Sequence, residues 1–94
     1  MTANADATPA PPPAPVTLAD LRKGEQARID AVAGAGGTMQ RLLEMGLTAG
    51  TALSVVRFAP LGDPMEVRVR GYLLSLRVAD ARNVRVTRLA ERAS

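Results

Sequence analysis

The chain has 94 residues, a formal net charge of +3, no His and no Cys. Without these two residue types it lacks disulfides, the usual metal ligands and the commonest general base, so we expect no enzyme, no cofactor and no bound metal. No apolar run approaches the ~20 residues that span a bilayer, and no secretory signal pattern is visible. We therefore expect a cytoplasmic protein without direct membrane insertion.

The composition divides the chain into three parts. Residues 1–16 are rich in Ala and Pro, and such a segment buries too little apolar area to offset the entropy of ordering. We therefore expect a disordered tail there, a folded domain over residues 17–90, and a frayed C-terminus at residues 91–94.

The domain opens with signals for a turn and a first strand. Thr17, followed three residues later by Asp20, predicts a capping box. Residues 26–33 alternate in polarity, which predicts a strand. The residues expected to face the core are Ala27, Ile29 and Ala31.

A short helix is predicted next, over residues 39–45, with Thr38 as its N-cap. Gly46 stands at the position just after the helix end, where the left-handed backbone favours Gly. Leu47 is then placed to pack back on Leu42, as in a Schellman stop.

A strand, a loop and a hairpin follow the helix. Residues 51–59 predict a second strand, and prolines close the loop at residues 60–64. Residues 65–70 alternate apolar and charged, as in a half-buried strand. Gly71-Tyr72 offers a type II′ turn with Gly first. The expected cross-strand pairs are Val69 with Leu74, Val67 with Leu76, and Glu66 with Arg77.

Residues 78–83 predict a helical turn, and residues 84–89 a closing strand. The resulting fold is mainly β. Because closing the sheet on itself removes exposed edges, we expect a small five-stranded SH3-like β-barrel. One short helix is inserted between its first two strands.

Two segments present side chains suited to partner binding. The loop at residues 60–64 is stiffened by two prolines and has Leu61 at its tip, although a plain hairpin connector is the alternative interpretation. Around the helix end, Met45 and Leu47 are expected to be exposed, whereas Leu42 is expected in the core. The predicted partner-binding residues are Arg41, Met45, Leu47, Pro60, Leu61, Gly62, Asp63 and Pro64. Exposed Leu and Met side chains also allow weak self-association.

Several motifs resemble the FeoA family. The clearest are Arg41-Leu-Leu-Glu-Met-Gly-Leu-Thr-Ala-Gly50 and Ala59-Pro-Leu-Gly-Asp-Pro64, and the resemblance covers residues 17–89. Members of that family are small cytosolic SH3-like barrels of the bacterial ferrous-iron uptake system, which work with the membrane protein FeoB. The resemblance implies docking on the cytosolic GTPase part of a FeoB-type transporter, with an effect on its GTP turnover or assembly.

Two other functions remain as alternatives. One is a small basic nucleic-acid-binding barrel, but a single Phe and a single Tyr offer few stacking surfaces, so we expect no nucleic-acid partner. The other is an iron sensor that binds Fe(II) through carboxylates. The carboxylates considered for it are Asp63, Glu66 and Glu44.

Overall fold

The computed structural model describes residues 16–89, which form one six-stranded antiparallel sheet with small helices. The strands are β1 (Val16–Thr17), β2 (Gln26–Val32), β3 (Ala52–Phe58), β4 (Met65–Val69), β5 (Tyr72–Leu76) and β6 (Val84–Arg88). The α-helices are α1 (Thr38–Glu44) and α2 (Val78–Ala81), and a 3-10 turn covers Leu18–Asp20. The mainly β prediction is confirmed.

The prediction of a closed five-stranded barrel is wrong. The observed strand order is β1-β6-β2-β3-β4-β5. Within residues 16–89 no pairing joins β5 to β1, so both strands are edges. The additional strand arises because Val16, assigned by composition to the tail, pairs with Val86. The helix α1 therefore lies between the second and third strands. The rest of the predicted tail and of the C-terminus lies outside the described residues.

The core is formed by apolar side chains from β2 to β6, both helices and the 3-10 turn. Its buried members are Leu18, Leu21, Ala27, Ile29, Leu42, Leu47, Leu53, Val55, Met65, Val67, Val69, Leu76, Ala81, Val84 and Val86. Burial of this apolar area is the main favourable contribution to folding. The predicted inward position of Ala31 is wrong, because the β2–β6 register shifts after Ile29 and leaves Ala31 exposed.

The β4–β5 hairpin forms, but its register is two residues away from the predicted one. Val69 pairs with Tyr72, and the turn is Arg70-Gly71. Both turn residues have positive φ, +52° and +86°, as in a type I′ turn, whose twist matches that of the flanking strands. Because the shift is an even number of residues, the inward face is unchanged.

The outward pair predicted between Glu66 and Arg77 does not form. Ser75 lies opposite Glu66 in the observed register. The Glu66 carboxylate instead forms an ion pair with the Arg57 guanidinium, with Nε and Oε1 2.8 Å apart. A partly exposed pair of this kind adds little to stability.

The N-terminus of α1 differs from the prediction. The helix begins at Thr38 itself, and the N-cap position is occupied by Gly37 with φ of +88°. Thr38 therefore provides no side-chain cap, because it is already a helical residue.

The C-terminus of α1 is a Schellman stop, as predicted. The Leu47 N–H donates to the Leu42 carbonyl at 3.2 Å, and the Gly46 N–H donates to the Leu43 carbonyl at 3.0 Å. Gly46 has φ of +96°. A Cβ there would lie 2.6 Å from the Tyr72 hydroxyl, so this position excludes a side chain for both backbone and steric reasons.

Gly46→Ala is expected to lower the free energy of unfolding by about 1–3 kcal/mol, because Ala must adopt a left-handed backbone and displace Tyr72. Urea unfolding measures this loss. Gly50→Ala is the matched control, since Gly50 has a similar φ of +89° but no atom within 4 Å of the position that a methyl group would take. Equal losses at the two sites would contradict a role for the Tyr72 contact.

Two carboxylates near the 3-10 turn have lowered pKa values. The Thr17 N–H donates to Asp20 Oδ2 at 2.8 Å, which confirms the capping box and lowers the pKa of Asp20. The Arg22 N–H donates to Glu25 Oε1 at 2.6 Å. This bond, supported by the Arg88 guanidinium at 3.0 Å, holds the pKa of Glu25 below its ordinary value of 4.5.

Glu25→Gln is expected to be less stable than the wild type at pH 7, with a difference that shrinks as the pH falls below 4.5. A carboxyl whose folded pKa is depressed stabilises the fold above its unfolded pKa, and this contribution is lost as the pH falls through the folded pKa. Urea unfolding of both proteins from pH 7 to about pH 3 checks this expectation. A difference that does not change with pH would contradict it.

Candidate functional site

The loop between β3 and β4 contains five of the predicted partner-binding residues. The Gly62 N–H donates to the Ala59 carbonyl at 2.7 Å, which closes a tight turn. The Ala59 N–H donates to the Pro64 carbonyl at 2.9 Å, which joins the two ends of the loop. Leu61 lies at the tip and is 96% exposed. The backbone therefore presents an apolar side chain to solvent on a hydrogen-bonded support.

Asp63 has a structural partner in α2. Its Oδ1 accepts the N–H of Val78, the first residue of α2, at 3.0 Å. A carboxylate in this position satisfies one of the backbone donors that a helix start leaves unpaired. The bond attaches the loop to α2, so Asp63 orients the loop that presents Leu61.

Arg41 also reaches α2. Its guanidinium lies 3.1 Å from Asp80 Oδ1, and its side chain keeps 54% of its surface exposed. An exposed ion pair of this kind contributes at most about 1 kcal/mol. Arg41 can therefore exchange Asp80 for a carboxylate on a partner at little cost.

The two predicted segments thus meet at one element. Asp63 from the loop contacts Val78, and Arg41 from α1 contacts Asp80, two positions further along α2. Both segments are therefore attached to α2. We call the surface formed by Arg41, Met45 and residues 60–64 the α2-side surface.

The prediction that Leu47 is exposed and binds a partner is wrong. It is fully buried, because its backbone closes the Schellman stop and its side chain joins the core. Met45, in contrast, is only half-buried and packs at the margin of the core. Leu42 is in the core, as predicted.

Sequence reasoning missed two exposed residues beside this surface. Tyr72 is 43% exposed, and its hydroxyl donates to the Met45 carbonyl at 2.7 Å. Leu73 is 50% exposed. The predicted hairpin turn contains Tyr72, so the predicted β5 begins one residue later than the observed strand. For this reason the exposure of Tyr72 and Leu73 was not predicted. The alternation of apolar and charged residues does not indicate that Arg70 and Gly71 both adopt positive φ.

The carboxylates considered for iron binding do not form a group. Among residues 16–89 no three Asp or Glu residues lie close enough to hold a metal ion. Glu66 pairs with Arg57, Asp63 with Val78, and Glu44 accepts the Gln40 side chain at 3.0 Å. In the same residues, none of the helices has the length and apolar character needed to cross a membrane.

Sequence comparison identifies the family. The FeoA domain profile matches residues 16–88. A Fe(2+) transport protein A/Fe(2+) transporter FeoB fusion protein of Porphyromonas gingivalis is 40% identical over 77 residues. That match covers 82% of this chain and only 9% of the fusion protein.

Two solved structures show the same fold. The FeoA protein from Chlorobium tepidum is 41% identical, with a TM-score of 0.74 over 80% of this chain and 71% of that one. Stenotrophomonas maltophilia FeoA complexed with zinc, described as a procaryotic SH3 domain protein, is 28% identical. Its TM-score is 0.68 over 77% of this chain and 89% of that one. From the profile match, the sequence identity and the shared fold, we conclude that the chain belongs to the FeoA family.

Proposed function

We propose that this protein is an accessory factor of ferrous iron transport that acts at the cytoplasmic side of the membrane. In this proposal it docks on the cytosolic GTPase part of a FeoB-type transporter and modulates its GTP turnover or its assembly. The contact is made by the α2-side surface, with Leu61 as its apolar anchor.

The observation that supports this partner most directly is the fusion relative. Its name joins a Fe(2+) transport protein A to a FeoB transporter in one chain, and this chain is 40% identical to part of it. Two modules joined in one chain are held at a high effective concentration, which favours even a weak contact between them. The fusion therefore supports a contact between this domain and a FeoB-type transporter.

The geometry of the α2-side surface suits such a contact. Leu61 is 96% exposed, yet the turn beneath it is closed by two backbone hydrogen bonds and attached to α2 by Asp63. A side chain held in this way loses little backbone freedom on binding. Apolar anchors that fill a partner pocket typically account for much of the affinity of an interface.

The proposed role is regulatory rather than catalytic, and the residue inventory supports this choice. The chain has no His and no Cys. It can still change the rate of a partner enzyme, because a ligand shifts an equilibrium by binding one state more tightly than another. GDP-bound and GTP-bound forms of the transporter are the states between which this protein would discriminate.

Leu61→Asp is expected to weaken binding to the FeoB-type transporter of the same organism, in lipid nanodiscs, by at least about tenfold, since a charge would replace the apolar anchor. Ala35→Asp is the matched control, an exposed loop residue outside the α2-side surface. Biolayer interferometry with the full chain measures both affinities. Equal affinities for Leu61→Asp and the wild type would exclude the loop from the interface, and no binding by the wild type would refute the proposed partner.

Adding the full chain is expected to change steady-state GTP hydrolysis by the same transporter, whereas Leu61→Asp at the same concentration leaves it at the basal rate. Loss of the interface removes the differential binding on which modulation depends. The release of inorganic phosphate over time gives the rates. A GTPase rate that is unaffected by saturating wild-type protein would leave assembly as the modulated property and rule out control of turnover.

A further inference from the structure

The strand β5 has a free edge. Among residues 16–89 it pairs with β4 alone, and it ends the strand order. Around a two-residue turn, the pairs Val69–Tyr72 and Val67–Leu74 exchange hydrogen bonds, and the residues between them do not. The N–H and C=O groups of Leu73 and Ser75 therefore point away from β4, toward the outside of the sheet.

Natural proteins usually protect such an edge with a charge, a proline, a bulge or a very short strand. Within the part of the chain that the structure describes, the opposite edge strand β1 comprises two residues. The sequence of β5, Tyr-Leu-Leu-Ser-Leu, contains neither charge nor proline, and its register with β4 is regular. Leu73 is 50% exposed and Ser75 is also exposed. Among residues 16–89, β5 is thus an unprotected five-residue edge.

This edge is continuous with the α2-side surface at both of its ends. At its start, the Tyr72 hydroxyl donates to the Met45 carbonyl at 2.7 Å. Beyond its end, the Val78 N–H donates to Asp63 of the loop at 3.0 Å. β5 therefore begins at a residue bonded to Met45 and leads into α2, to which the loop is attached.

We propose that β5 binds an extended, acidic segment of the transporter, which adds to the sheet as a further strand. The proposal rests on the proposed function and defines how the partner is recognised. Main-chain hydrogen bonds to Leu73 and Ser75 supply affinity, as in other proteins that bind peptides at a sheet edge. Side chains of the added strand that lie beside Leu73 are apolar.

The charge around the edge selects an acidic segment. Arg77 directly follows the last residue of β5 and is exposed. Arg68 lies opposite Leu73 on β4 and is also exposed. β5 itself has no carboxylate, and the guanidinium groups of Arg68 and Arg77 can form forked hydrogen bonds with carboxylates. An acidic residue at one end of the added strand would lie next to Arg77.

The same charges disfavour a second copy of this chain at the edge. In an antiparallel β5–β5 pair centred on Leu74, Arg77 of one copy lies opposite Gly71 of the other copy. Because β5 contains no carboxylate, the paired strand of a second copy offers Arg77 no acidic partner. A transporter segment is therefore a better occupant than a symmetric dimer.

Ser75→Pro tests the proposal. Proline removes the outward N–H of Ser75 and leaves the β4–β5 ladder intact, because Ser75 and Glu66 form a non-hydrogen-bonded pair. We expect affinity for the nanodisc transporter to fall by at least about tenfold. Ser75→Ala, which keeps the N–H, should bind as the wild type does. Arg77→Glu should weaken binding by at least about threefold at low salt, and less at high salt.

Hydrogen exchange of the wild-type chain gives an independent test that requires no substitution. In the complex, the amides in the peptide that spans Tyr72–Leu76 should exchange at least about tenfold more slowly than in the free protein. Slower exchange together with weak binding of Ser75→Pro supports the added strand. The added strand is overturned if folded Ser75→Pro binds tightly, or if the bound transporter leaves exchange in this peptide unchanged. In either case the proposed docking function stands. Absence of wild-type binding overturns both.

Discussion

The inward face of β4 is the constraint from which the remaining structure follows. Met65, Val67 and Val69 are all 0% exposed, and they lie between β3 on one side and β5 on the other. A slip of one residue would turn all three toward solvent. The type I′ turn at Arg70-Gly71 and the register shift in β3 after Val55 are the local adjustments that keep this face buried.

The two ends of β4 position the surfaces that we assign to partner binding. Its start fixes the loop at residues 60–64, which Asp63 attaches to α2. Its end leads into the turn, where the Arg70 guanidinium donates to the Thr51 hydroxyl at 2.9 Å and so joins the turn to the segment after α1. The core and the docking surface are thus parts of one hydrogen-bonded framework. A partner would meet a surface that is already organised.

An accessory protein of the kind proposed acts through what it binds and in which state. Here residues 16–89 present an exposed apolar residue at the tip of a loop, an exposed arginine and a strand edge that pairs with no other described strand. Side-chain anchors provide selectivity, whereas main-chain pairing tolerates sequence differences in the partner.

The sequence by itself determined the features that depend on near neighbours. The capping box of Thr17 and Asp20, the Schellman stop at Gly46 and the alternation along β4 were all predicted, because each depends on residues a few positions apart. Only the tertiary structure decided the burial of Leu47, the pairing of Arg41 with Asp80 and the free edge of β5. These depend on contacts between residues distant in the chain, which no local pattern encodes.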